Sequence, residues 1–266
     1  MKTILVINDN SPEAEHAARF ALNIAWQMQA SVLLANTINV KQTAEKVPAG
    51  GQAETQRPGR NAAADDMSGG PGPEVGHLDI STMDEAQIAQ VINSRDILMV
   101  IKGEPHEMPG IARKPDMNSL LNKIRCPVLL VPEHWQIKKV DRVVYIADLR
   151  FCRYHVIKFL AAMAQACDAG LSVAHLSAKG IPDMEEHYAN SVFKKEVYDR
   201  LDYKQVFFNN IREKDLKKAV DVIINGMHND ILAMVNHRFH FEEILGRYLT
   251  DILPGNITVP VLIFPY

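Results

Sequence analysis

The chain has 266 residues, of which 47% are apolar, 23% charged and 7% aromatic. This is enough for two ordinary domains of roughly 100–150 residues each. Its formal net charge of −3 gives no global basic field for nucleic acid or anionic lipid. No apolar run approaches the ~20 residues that cross a bilayer, and Met1–Asp9 is too short an apolar stretch for a signal peptide. Cys126, Cys152 and Cys167 are scattered and odd in number. They exclude a disulfide scaffold and a four-cysteine zinc site, and they point to a reducing cytoplasm.

The first predicted element is the β-branched run Thr3-Ile4-Leu5-Val6-Ile7, which ends at Asp9. Ser11-Pro12-Glu13 then signals a helix start, with Ser as cap and Pro at the first helical position. Ala17, Ala21, Ile24, Ala25 and Met28 continue at helical spacing, and Ser31–Ala35 is a second strand. Residues 41–76 hold seven Gly and four Pro, with no Leu, Ile, Phe, Trp or Tyr. Such a stretch cannot bury enough apolar surface to offset its chain entropy, so a mobile loop is expected. Asp96–Ile101 and Val128–Val131 supply two further strands.

The second half repeats these landmarks. Arg142–Ala147 leads to Asp148, 139 positions after Asp9. Asp230–Val235 mirrors Asp96–Ile101, and Val259-Pro260-Val261-Leu262-Ile263-Phe264 mirrors Cys126-Pro127-Val128-Leu129-Leu130-Val131. A tandem duplication follows, with a first domain over 1–134 and a second over 139–266. The pattern of the second half predicts strands at 142–147, 171–176, 203–208, 230–235 and 259–264. Helices are predicted at 152–168, 183–199, 213–226 and 240–250, with Gly226 suited to a helix end. Fully apolar strands alternating with helices indicate parallel sheets covered on both faces.

Ligands of such sheets bind outside the carboxyl ends of the strands. Asp9 and Asp148 sit there. Each can accept a hydrogen bond from a ribose or base, or can instead cap the following helix. Asn236, His237 and Arg238 follow the fourth strand of the second half and could contact an anion. No Walker loop and no G-x-G-x-x-G accompanies them. His237 and His240, three apart and near Glu242 and Glu243, form a weak metal pattern, and no metal is expected. No nucleophile motif is present.

Together, the Asp-ended first strands, the Asp-initiated fourth strands and the two closing runs resemble a tandem-domain universal stress protein. The resemblance implies an α/β fold of two tandem open parallel five-stranded sheets. Each would be flavodoxin-like or adenine nucleotide alpha hydrolase-like, in order 3-2-1-4-5, and the two would be related by a pseudo-two-fold axis. It also implies an intramolecular pseudo-dimer through strands 127–132 and 260–265. Many members of that family bind ATP. They use a first-strand Asp, a second-strand residue, and a pattern of Gly, two residues, Gly, nine residues and Gly-Ser or Gly-Thr. Carried over, these roles fall on Asp148, Leu176, Met234, Asn236, His237, Arg238 and Gly246, with Asp9 the weaker first-half equivalent. The family's first two glycines fall on Val235 and Arg238, so the motif is degenerate. No cofactor is therefore expected, with ATP or another adenine nucleotide as the alternative. The expected function is a non-catalytic stress-response protein acting by contacts with a protein partner of unknown identity or by weak ligand binding in the second half. The competing reading is a nucleotide binder or slow ATPase using the second-half site. A flavoprotein relative has only fold analogy behind it.

Overall fold

A computed structural model describes residues 2–38, 72–104, 115–177, 181–213, 215–250 and 252–266. In the first half, β1 is Thr3–Asn8, α1 Pro12–Met28, β2 Ser31–Asn36, β3 Val75–Asp79 and α2 Glu85–Ser94. These are followed by β4 Ile97–Gly103, α3 Met117–Leu121 and β5 Val128–Val131. The second half runs β6 Arg142–Ala147, α4 Tyr154–Cys167, β7 Gly170–Leu176, α5 Glu186–Glu196 and β8 Val206–Ile211. It continues with α6 Leu216–Asp221, β9 Ile231–Val235, α7 Phe239–Leu245 and β10 Val261–Phe264.

Local chemistry sets most of the boundaries. The Ser11 hydroxyl accepts from the Ala14 N–H and Pro12 takes the first helical position, as the sequence predicts for α1. Asp84 and Gln87 form a reciprocal capping box on α2. The helix predicted from 213 begins instead at Leu216, because the Asp215 carboxylate accepts from the Lys217 and Lys218 N–H groups. It passes into a π-helical turn, Val222–Gly226, that ends at Gly226. The helix predicted over 240–250 stops at Leu245, where Gly246 adopts φ 96°. The strand expected at 203–208 lies at 206–211, set by the pairing of Leu171 with Val206. Residues 41–71 of the expected loop lie outside the described residues. Its last two residues are not loop: Val75 and Gly76 open β3, paired with Val32 and Leu33 of β2.

The strands lie in the order β3-β2-β1-β4-β5-β10-β9-β6-β7-β8. Each half therefore has the 3-2-1-4-5 order, and every pairing is parallel except β5 with β10. That antiparallel pair, with Val261 opposite Leu130 and Ile263 opposite Val128, merges the two five-stranded units into one ten-stranded sheet. The side chains of Val128, Leu130, Val131, Val261, Leu262 and Ile263 are fully buried. Each such burial is worth about 1.5–3 kcal/mol before entropy costs. Helix α1 packs on α4 across the junction, covering the sheet where its halves meet.

Candidate functional site

Within the second half the strand order reverses between β6 and β9. Their carboxyl ends splay chains to opposite faces and leave a crevice. A cleft of about 120 Å³ occupies this crevice. It is lined by Tyr145, Ile146, Ala147 and Asp148 from β6 and its end, and by Phe151, Arg153 and Ile181 from the loops. Met234, Val235, Arg238, Phe239, His240 and Phe241 close it from β9 and α7. Ligand pockets for drug-sized molecules usually measure ~300–1,000 Å³, so this one is small.

Asp148 is already engaged. Arg150 Nε and Nη2 donate to its two carboxylate oxygens at 2.9 and 2.6 Å, and the Arg150 N–H adds a third bond at 3.1 Å. Burial is the largest influence on this carboxyl and opposes ionisation. The hydrogen bonds and charge of Arg150 together outweigh it, so the pKa lies below the ordinary value. Behind it, fully buried His175 accepts the Leu149 N–H on Nδ1 at 3.2 Å, and that nitrogen lies 4.0 Å from Asp148. His240 Nε2 donates to the Leu176 carbonyl at 2.6 Å. Burial lowers the pKa of both histidines, with Asp148 pulling each the other way, so both are neutral near pH 7.

Of the residues singled out by sequence, Asp148, Met234, Val235, Arg238 and His240 line this cleft. Leu176 is not among the lining residues, and its carbonyl accepts from His240. Asn236 and His237 turn toward the other half. The Asn236 amide and His237 Nε2 both donate to Asn122 Oδ1, at 3.2 and 3.0 Å. His237 holds φ 51°, a left-handed conformation that costs a non-glycine residue. Gly246 terminates α7 and is not among the cleft-lining residues. In the first half, Asp9 Oδ1 accepts the Ser11 N–H at 3.1 Å, a local turn that feeds α1. There α1 lies directly on the end of β4. A Cβ added at Gly103 would meet the Glu13 carbonyl oxygen at 2.3 Å, so a side chain at that position has no room.

The metal pattern does not come together. His237 and His240 diverge, one to Asn122 and the other to Leu176. Among the described residues no group of three His, Cys, Asp or Glu is placed to hold a metal ion. Burial pushes the thiols of Cys126 and Cys152 up to about 12 and that of Cys167 to about 11, which makes them inert. Asp230, read as the start of a fourth strand, is a structural staple. Its Oδ2 accepts the Asp141 and Arg142 N–H groups at 2.8 and 2.9 Å, tying β9 to the entry of β6.

Sequence reasoning missed Arg150, Arg153, Tyr145, Phe151 and Tyr266. Arg150 was the most legible of these: two positions after Asp148, it is within reach of the carboxylate by local geometry alone. The guanidiniums of Arg153 and Arg238 stack 4.5 and 4.9 Å from the centroid of the Tyr266 ring, across more than a hundred residues of sequence for Arg153.

Residues 1–132 match the model of the universal stress protein family. No curated protein matches by sequence. Among solved structures, the chain is similar to a universal stress protein from Archaeoglobus fulgidus. That pair has 14% identity and TM-score 0.61, covering 98% of this chain and 97% of the other. It is also similar to a functionally unknown protein from Pseudomonas aeruginosa, with 14% identity, TM-score 0.53 and coverage of 98% and 92%. The cytoplasmic domain of a prokaryotic cation chloride cotransporter matches with 11% identity, TM-score 0.53 and coverage of 98% and 94%. At these identities the likeness establishes the fold.

Proposed function

Because the chain belongs to the universal stress protein family, we propose that it is a non-catalytic stress-response member in which the groups that would meet an adenine nucleotide are engaged by its own side chains. The observation that carries this reading is the occupation of both adenosine-facing groups. Arg150 takes the two oxygens of Asp148, and His240 takes the carbonyl of Leu176. A ribose or adenine would have to displace a charge-assisted bidentate pair and a buried hydrogen bond, each worth about 1–3 kcal/mol.

The phosphate end supports the same reading. Side chains stand where the family's glycines let backbone approach phosphate, at Val235 and Arg238. Asn236 and His237 hold the two halves together through Asn122. The protein thus acts through its surface, on a partner not yet identified. A cytoplasmic location fits its three free cysteines. No helix among the described residues is long and apolar enough to cross a membrane.

The competing reading is a nucleotide binder or slow ATPase. One observation favours it: Asp148 and Arg238 line one cleft. Mass spectrometry of the denatured, purified chain, together with calorimetry against millimolar ATP, ADP and AMP, separates the two. We expect no co-purifying nucleotide, no heat and no hydrolysis. ATP turnover that Asp148→Ala abolishes would overturn the non-catalytic reading.

A further inference from the structure

We propose that the cleft between the ends of β6 and β9 binds a small organic carboxylate with an apolar body no larger than a benzene ring, gripped at its anionic end by Arg153 and Arg238. This goes beyond the reading above. It concerns what the cleft takes, whereas that reading concerns what it no longer holds.

The first observation is a pair of positive charges with no counter-ion. Arg153 and Arg238 are each half-buried, and among the described residues neither has a carboxylate within ion-pair reach. Both line the same cleft and both stack on the one Tyr266 ring, at 4.5 and 4.9 Å. Two half-buried guanidiniums lining one cleft give it a positive field, and an anion there gains charge-assisted hydrogen bonds from them. Arg153 also stands at the N-cap of the fourteen-residue helix α4, with no side-chain cap bond. A cation is disfavoured at the positive end of a helix, whereas an anion is favoured there. A cation at a helix end that disfavours it, beside a second arginine that also lacks a carboxylate partner among the described residues, points to an anionic ligand in the cleft they line.

The second observation is the shape and lining of the space behind the arginines. Ile146, Ala147, Ile181, Met234 and Val235 give it an apolar wall. Arg150 neutralises Asp148, the acid of the cleft, so the net field at the mouth is positive. At about 120 Å³ this open cleft is smaller than the ~150 Å³ dry cavity that accommodates benzene, so it takes a short apolar body with the carboxylate left at its mouth. A triphosphate is too large and too polar for such a wall. A carboxylate on a short branched or aromatic body places its apolar part against Met234 and Val235 and its two oxygens within a guanidinium fork.

The test uses the full chain. Calorimetry with sodium benzoate and with isovalerate reads binding, with inorganic phosphate and ATP as comparators. Saturation-transfer NMR on the unmodified chain reads contact with the benzoate ring independently of any variant. We expect benzoate or isovalerate to bind, and Arg153→Gln and Arg238→Gln each to weaken that binding by about tenfold or more in chains with unchanged circular dichroism. No heat and no saturation transfer from either carboxylate at millimolar concentration would overturn the proposal. So would carboxylate binding that both Gln variants leave intact, or phosphate binding as tightly as benzoate with the same arginine dependence. ATP binding would instead count against the reading that the nucleotide-facing groups are engaged, and the carboxylate arms would still be read on their own.

Discussion

Asn122 Oδ1, in the first half of the chain, accepts both the His237 Nε2–H at 3.0 Å and the Asn236 side-chain amide at 3.2 Å from the second half. One acceptor thus fixes the turn after β9 against the helix that precedes β5. The Leu249 N–H, bonded to Asn118 Oδ1 at 3.3 Å, and the Leu253 N–H, bonded to Glu104 Oε1 at 2.7 Å, extend the same seam. Residues expected at a phosphate are committed here to joining the halves.

Replacing this acceptor leaves a buried amide unpaired, since Asn236 is almost wholly excluded from water. Asn122→Ala should therefore lower stability by about 1–3 kcal/mol. Urea unfolding followed by tryptophan fluorescence and circular dichroism measures the loss. A variant within error of wild type would show that the Asn122 bonds add nothing to the seam.

Gly103 has no room for a side chain. Its added Cβ would lie 2.3 Å from the Glu13 carbonyl oxygen and 2.6 Å from that carbonyl carbon, both backbone atoms. Gly103→Ala must push α1 off the end of β4, at a cost of about 1–3 kcal/mol. Gly255→Ala, at a position with nothing within 4 Å, serves as the control and should be near neutral by the same denaturation assay.

The buried histidines make stability fall on mild acidification. Both His175 and His240 have folded-state pKa values below the ordinary one, mainly through burial. At pH values well above about 6.5 neither the folded nor the unfolded form is charged. Below it the unfolded chain takes up protons that the folded chain refuses, and stability declines toward the lowered folded pKa. Calorimetric Tm should drop between about pH 7.5 and about pH 5.5. The drop should be smaller in His240→Gln, which keeps a donor for the Leu176 carbonyl. An identical drop in the variant would remove His240 from the account.

Arg150 governs the ionisation of Asp148. Its hydrogen bonds and charge hold the carboxyl below its ordinary value against the opposing effect of burial. The pair therefore stabilises the fold above the unfolded pKa of about 3.9, and this contribution is lost as pH falls through the folded value. Arg150→Ala should raise the Asp148 pKa, read by carbon-13 NMR of its carboxyl, and shift acid unfolding to higher pH. No movement of that resonance would mean that the bidentate pair does not form in solution.

Much of the architecture was legible in sequence because it rests on short-range signals. The run from Thr3 to Asn8, the Ser11 cap with Pro12, and the apolar fourth and fifth strands in each half are each set by neighbours a few positions away. Boundaries slipped where a cap or a partner strand competed with periodicity, as at Asp215 and at Val206. The candidate cleft was half legible. Asp148 and Arg238 follow from their places at strand ends, Met234 came from the family resemblance, and Arg150 could have been added as a partner two residues along the chain.

The sequence by itself determined that the protein is a doubled α/β unit with parallel strands, because apolar periodicity and repeated landmarks are properties of the chain read locally. Tertiary structure decided what the strand ends do. His240 reaches Leu176 across 64 residues and His237 reaches Asn122 across 115. Such pairings depend on how sheets stack and join, so no local pattern encodes which polar group will find another.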